Sequence, residues 1–232
     1  MANLTEVNRE FSNFAEACKR LAEEVKSRRE WISTKWTDTQ DGEGKEIKLL
    51  EYACGPGTVS KTLEPFVTKV IGLDVSENMV AEFNKSTHES GISPEKMFAL
   101  QGDLLAETVP QDLLGLEFFD FDIIVVSMAL HHFADPNLAM ERLGSRLKKG
   151  GVLLIIDFVP DHRGGEETQQ FHPEAHRTIH KHGFDAGEMR ELYAHAGVEE
   201  NIDYQIVERP MEFKVNGHEF KKVISMARGE RD

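Results

Sequence analysis

The sequence predicts an α/β protein built on an open, doubly wound sheet. Three observations carry that reading. Short, nearly continuous apolar runs recur between residues 47 and 160, as expected of parallel strands covered on both faces. Helix-like segments separate them, and strand–helix alternation implies right-handed βαβ crossovers. Beyond residue 200 the pattern changes to two strand-like runs joined by Asn216–Gly217, a dipeptide that supplies the positive φ angles of a tight hairpin.

The elements follow in order. Phe11, Phe14, Cys18, Leu21 and Val25 fall at helical spacing with charges between them, which predicts an amphipathic N-terminal helix. TDTQDGEGKE reads as a polar loop. IKLLEYAC is the first strand, and Val59, Leu63, Phe66 and Val67 mark a helix after it. KVIGLDV is the second strand. Ser76 caps the helix carrying Met79, Val80 and Phe83, and Gly91 ends it. MFALQG is the third strand and FDIIVVSMAL the fourth. A helix is expected from Pro136 to Lys149, stopped by Gly150–Gly151, and GVLLIIDFV is the fifth strand. DAGEMRELYAHAG forms a last helix before the antiparallel hairpin.

Composition narrows the functions available. The chain has 232 residues, 40% of them hydrophobic, enough for one sizeable core. A net charge of -14 disfavours general binding to nucleic acid or to anionic lipid. Two cysteines, Cys18 and Cys54, cannot build a disulfide framework, and a reducing compartment is the simplest expectation. The N-terminus is too polar for a secretory signal, and the apolar runs are too short to span a bilayer. A soluble cytoplasmic protein is therefore expected.

The chemistry begins at LLEYACGPGTVS, where an apolar strand stops at Cys54-Gly55-Pro56-Gly57. In a doubly wound sheet, nucleotide-like ligands lie at the carboxyl ends of the strands. Glycines there let the backbone turn sharply and let a ligand approach it. Alone, such a turn could be a plain strand-to-helix connection. Asp74 closes the second strand, where a carboxylate can accept hydrogen bonds from ribose hydroxyls or serve as a turn residue. Asp103 follows the third strand, placed to accept the exocyclic amine of an adenine, with Leu104 able to cover the ring; the alternative is a loop aspartate. A dinucleotide-binding motif prefers a third glycine, but Ser60 occupies that position.

LLEYACGPGTVS, VIGLDVSENMV, ALQGDLL, FDIIVVSMALHHFADP and LKKGGVLLIIDF, in that order, resemble the class I S-adenosylmethionine-dependent methyltransferases over roughly residues 47–160. HKHGFDAGEMRELYAHAGV is similar to the tail of the small-molecule branch. The resemblance implies a mostly parallel, seven-stranded, Rossmann-like sheet with a C-terminal antiparallel hairpin. Residues 1–46 would be a helical cap region and 47–232 the S-adenosylmethionine-binding domain, within one structural domain. It also implies that Glu51, Cys54, Gly55 and Gly57 line the methionine end of the cofactor. Asp74 would hold the ribose, with Val75 and Met79 beside the adenine and Asp103 and Leu104 in contact with it. Ser127 and Met128 would border the transferred methyl. The N-P-P-Y type motif of amino-group nucleic-acid methyltransferases is absent; SMAL stands there.

Methyl transfer needs alignment and exclusion of water, and a base where the acceptor must lose a proton. His131 is the first candidate and His132 the second, with Asp157 near the end of the fifth strand. His162, His172, His176, His180 and His182 crowd one segment. His176 and His180 have one-turn spacing that could chelate zinc, but no cysteine or well-placed carboxylate joins them, so no metal is expected. Trp31, Trp36, Phe158 and Phe171 are candidate walls of an acceptor pocket, with core packing as the alternative. The expected partner is a small organic acceptor. The rival readings are methylation of a protein side chain and a cofactor-binding regulatory subunit inactive without its partner.

Overall fold

The computed structural model describes residues 4–160, 180–215 and 218–232, with the side chains of 4–14, 213–215 and 218–220 left aside. Five parallel strands form the body of the sheet: β1 (Lys48–Tyr52), β2 (Lys69–Asp74), β3 (Met97–Gln101), β4 (Phe121–Ser127) and β5 (Leu147–Phe158). Between them run α3 (Thr58–Leu63), α4 (Glu77–Glu89) and α5 (Pro136–Gly144), after α1 (Leu4–Ser27) and α2 (Arg29–Ile32) at the N-terminal end. The remaining elements are α6 (Ala186–His195), β6 (Glu200–Ile206), β7 (Met211–Val215), β8 (His218–Lys222) and β9 (Ile224–Glu230).

The seven-stranded sheet has the order β3-β2-β1-β4-β5-β9-β6. β9 runs antiparallel to both β5 and β6. β1 and β4 are neighbours although β2 and β3 separate them in the chain, so the strand order reverses between them. Two apolar layers cover the sheet. Leu49, Cys54, Val59, Phe83 and Ile123 lie in one, together with Ala17, Leu21 and Val25 of α1. Leu50, Tyr52, Ile71, Leu104, Leu143 and Tyr193 lie in the other. Alternation along β1 places Leu49 on one face and Leu50 and Tyr52 on the other.

Capping follows side-chain chemistry. Ser76 accepts the N–H of Met79 at the start of α4, and Gly91 takes φ 72° just beyond its end. Asp185 and Glu188 form a reciprocal capping box on α6.

Two expectations change. The helix after β4 ends at Gly144 rather than Lys149, and Gly150–Gly151 lie inside β5. Arg146 is buried and donates to the carbonyls of Leu113 and Phe118, which pulls the chain out of the helix. Leu147 then pairs with Phe121, and the pairing resumes only at Ile123 with Val152. A side chain at Gly151 would sit 2.8 Å from the Phe121 carbonyl, so glycine is needed in this irregular stretch.

The segment read as two C-terminal strands is four. β7 and β8 form the expected hairpin, but as a separate two-stranded sheet inserted between β6 and β9. Its turn, Asn216–Gly217, lies outside the described residues, as do His162, Phe171, His172, Pro173 and His176. Among the described residues, no helix is long and apolar enough to cross a membrane.

Candidate active site

The strand order reverses where β1 meets β4, and the carboxyl ends of β1 to β5 open on one edge of the sheet. The chain leaves β1 through Ala53 (φ 54°), Gly55 (φ 49°) and Gly57 (φ 80°). The two glycines differ in what surrounds them. A side chain on Gly57 would meet the Phe83 ring at 2.6 Å, whereas one on Gly55 would find nothing among the described residues within 4 Å. Gly57 therefore permits close packing onto α4, and Gly55 exposes backbone to open space.

Asp74 ties this loop to β2. Its Oδ2 accepts the N–H of Gly55 at 2.9 Å, and its Oδ1 accepts the N–H of Ser76 at 2.9 Å. The turn role is thus present. Each carboxylate oxygen still has capacity for a further donor. Glu51 is buried beneath the loop and accepts the N–H of Ser60 at 2.8 Å. Burial pushes its carboxyl up to about 7, against the downward pull of the Ser60 hydrogen bonds and of Lys61. Burial, together with the charges of Glu51 and Asp74, also raises the Cys54 thiol, so Cys54 remains protonated and is no nucleophile.

Val75 and Met79 stand at the mouth with 61% and 43% of their surface exposed. Leu104 is fully buried in the core instead, and only its backbone belongs to the loop after β3. Asp103 accepts from the Tyr52 hydroxyl at 3.1 Å and from the Leu105 N–H at 2.7 Å, both on Oδ1. Tyr52 carries no motif signature in the sequence. The available signal was a tyrosine ending a strand, because a buried phenol must find a partner.

Across the reversal point, Ser127 ends β4 with a buried hydroxyl that has no hydrogen-bond partner among the described residues. Met128 follows at φ 55°, its N–H donating to Ile156 O at 2.7 Å. The chain then enters a 3₁₀ turn, Leu130–His132. His131 is 5% exposed; its Nδ1 lies 2.6 Å from Oδ1 of Asp157, itself 1% exposed. Asp157 Oδ2 also accepts the His131 backbone N–H at 3.1 Å. A carboxylate on Nδ1 fixes the tautomer with the proton there, leaving Nε2 as acceptor. The His131 ring packs 4.9 Å from Phe158 and 4.0 Å from His132, whose residue is exposed. His180 and Lys181 donate their N–H groups to the His131 carbonyl. Among the described residues, no three His, Cys, Asp or Glu side chains are grouped to hold a metal ion.

The tryptophans belong elsewhere. Trp36 is fully buried, its indole N–H donating to Ser33 O at 2.6 Å. Trp31 donates to Asp203 at 2.6 Å and anchors the segment after α1 to β6. Neither contact makes a pocket wall. A polar cleft of about 530 Å³, lined by Glu24, Arg28, Gln205, Ile206, Glu208 and Arg209, opens beyond β6 at the same end of the sheet.

A doubly wound sheet with this strand order, an acidic residue closing β2 and an open glycine turn defines a nucleoside-cofactor domain of the methyltransferase class. Residues 11–201 match the family described as "Methyltransferase domain", and the chain belongs to this family of S-adenosylmethionine-dependent methyltransferases. It is similar to an uncharacterized methyltransferase of Schizosaccharomyces pombe, 30% identical over 160 residues, covering 66% of this chain and 53% of that one. It is also similar to a demethylmenaquinone methyltransferase of Staphylococcus aureus, 27% identical over 159 residues, covering 67% and 61%. The chain spans about half the length of the curated relatives it matches. Among solved structures, YcgJ of Bacillus subtilis superposes with a TM-score of 0.60 at 18% identity, over 80% of this chain and 92% of that one. Magnesium protoporphyrin IX methyltransferase of Synechocystis with bound S-adenosylmethionine gives 0.57 at 16%, over 95% and 83%. At these identities the likeness shows a common fold.

Proposed function

We propose that the protein transfers the methyl group of S-adenosylmethionine to a small organic acceptor that loses a proton. The observation that carries this reading is the buried pair His131–Asp157 at the end of β4, across the strand-order reversal from the open Gly55 turn. The described residues fit the cofactor. Among the described residues, Gly55 borders open space and the Ser127 hydroxyl has no partner, and Asp74 and Asp103 retain acceptor capacity on the adjoining strands.

When bound, the cofactor supplies a methyl group on a positively charged sulfur, which transfers by in-line displacement. Glu51, Cys54, Gly55 and Gly57 form the methionine end of the site, Asp74 accepts from the ribose, and Val75 and Met79 flank the base. Asp103 and the backbone of Leu104 face the base edge, and Ser127 and Met128 border the reacting side. His131 takes the acceptor's proton at Nε2, and Asp157 holds the ring and stabilises the imidazolium. Alignment of the reactants contributes about 7–11 kcal/mol to such a reaction, and a positioned base about 10²–10⁴-fold. His132, exposed beside His131, is the second candidate for this role.

The deciding experiment incubates the protein with methyl-labelled S-adenosylmethionine and a cell extract fractionated by size. Label is expected in the small-molecule fraction. Label confined to protein bands would overturn the acceptor class, and no transfer despite tight cofactor binding would favour a regulatory subunit.

A further inference from the structure

We propose that Tyr52 is a positioning residue for cofactor recognition, its hydroxyl holding the Asp103 carboxylate so that the second oxygen is left for the exocyclic amine of adenine. The inference rests on the reading of Asp103 as the adenine acceptor.

Tyr52 ends β1, and Asp103 lies just past β3. These strands are not neighbours, because β2 lies between them and places Leu73 opposite Tyr52. The phenol spans that gap. The residue is 2% exposed and its ring packs against Phe133 at 5.6 Å, which fixes where the hydroxyl ends. The hydroxyl then reaches Asp103 Oδ1 at 3.1 Å.

Oδ1 also accepts the Leu105 N–H at 2.7 Å, whereas Oδ2 takes no hydrogen bond from any described residue. Two donors on one oxygen fix the plane of the carboxylate, because rotation breaks both bonds together. The loop beneath is pinned as well. Arg142 donates to the carbonyls of Leu104 at 2.5 Å and Ala106 at 2.7 Å. Asp103 is therefore held by its side chain from β1 and through its backbone neighbours from α5. Burial and the Asp103 charge raise the Tyr52 phenol well above its ordinary range, so it remains a donor at every working pH.

A fixed acceptor aimed at an amine discriminates against a base that presents a carbonyl there. The test compares calorimetric affinities for S-adenosylhomocysteine and S-inosylhomocysteine, in which the amine is replaced by oxygen. The unmodified protein is expected to prefer the adenosyl compound by tenfold or more, the scale of a hydrogen bond to a charged group. Tyr52→Phe removes only the hydroxyl and is expected to lower that preference several-fold, towards the value for Asp103→Ala, with its melting temperature nearly unchanged. Tyr52→Leu carries the same comparison should the phenylalanine variant not fold. If Asp103→Ala loses the preference and the Tyr52 variants keep it, Tyr52 has no positioning role. If Asp103→Ala keeps it, the adenine assignment of Asp103 fails, and the proposal with it.

Discussion

Asp74 at the end of β2 accepts the backbone N–H of Gly55, nineteen residues earlier, at 2.9 Å. The residue proposed to hold the ribose therefore also shapes the turn against which the nucleoside lies. Asp74→Ala removes both contributions and is expected to weaken S-adenosylmethionine binding by at least about 1.5–3 kcal/mol, the scale of a charged hydrogen bond. Asp74→Asn keeps one acceptor oxygen and is expected to lose less. Calorimetric titration checks the order; equal affinity for the unmodified protein and a folded Asp74→Ala would refute the ribose role.

The two glycines of the turn respond differently to one added methyl group. Gly57→Ala drives a carbon into the Phe83 ring and is expected to destabilise the fold by about 1–3 kcal/mol of overpacking, with the strain of its positive φ in addition. Gly55→Ala meets no atom of the described residues and pays for its positive φ, about 1–2 kcal/mol. It is nevertheless expected to lose cofactor affinity by more than tenfold, because the methyl projects into the proposed binding space. Denaturant unfolding and calorimetry on both variants separate the effects, and a Gly55→Ala variant with full affinity would place the cofactor elsewhere.

His131→Ala is expected to slow turnover by about 10²–10⁴-fold, the range for a general base, while cofactor affinity changes little. Single-turnover rates and binding constants provide the check. Undiminished turnover would remove His131 as the base and turn attention to His132.

Glu51 makes stability depend on pH. Its folded value of about 7 stands above the ordinary 4.5, so the folded protein binds the proton more tightly than the unfolded chain. The associated stability is complete below about pH 4.5 and is lost as pH rises through 7. At about 1.4 kcal/mol per unit, the loss is about 3 kcal/mol. Glu51→Gln stays neutral throughout. Relative to the unmodified protein it is expected to gain stability between pH 5 and pH 8, measured by denaturant unfolding; parallel profiles would contradict the assignment.

Much of this arrangement is legible in the residues themselves. β1 to β5 read clearly because strands buried on both faces are almost wholly apolar, as in IIVV of β4. Asp74, Asp103 and His131 stand out because each follows such a run. The pattern misleads where tertiary contacts outweigh local spacing. Leu143 and Leu147 are spaced like one helix, yet Arg146 turns inward between them and the strand starts at Leu147. Leu104 follows Asp103 into the same loop but turns into the core. The hairpin turn signal marks two strands correctly, while nothing in its spacing says that the next strand enters the main sheet. Tyr52 and Asp103 lie fifty-one residues apart, and a bond across an intervening strand leaves no periodic trace.

The placement of β9 has a consequence for how the molecule is made. β5 carries Asp157, and its outer edge is completed by residues 224–230, with Ser225 donating to the Asp157 carbonyl. As the polypeptide emerges during synthesis, the β9 edge of β5 stays unpaired until the 65 residues between Phe158 and Ile224 have been added. β6, which joins the sheet through β9 alone, waits with it. The half of the molecule proposed to hold the nucleoside can assemble early; the half that holds the proposed base is finished last.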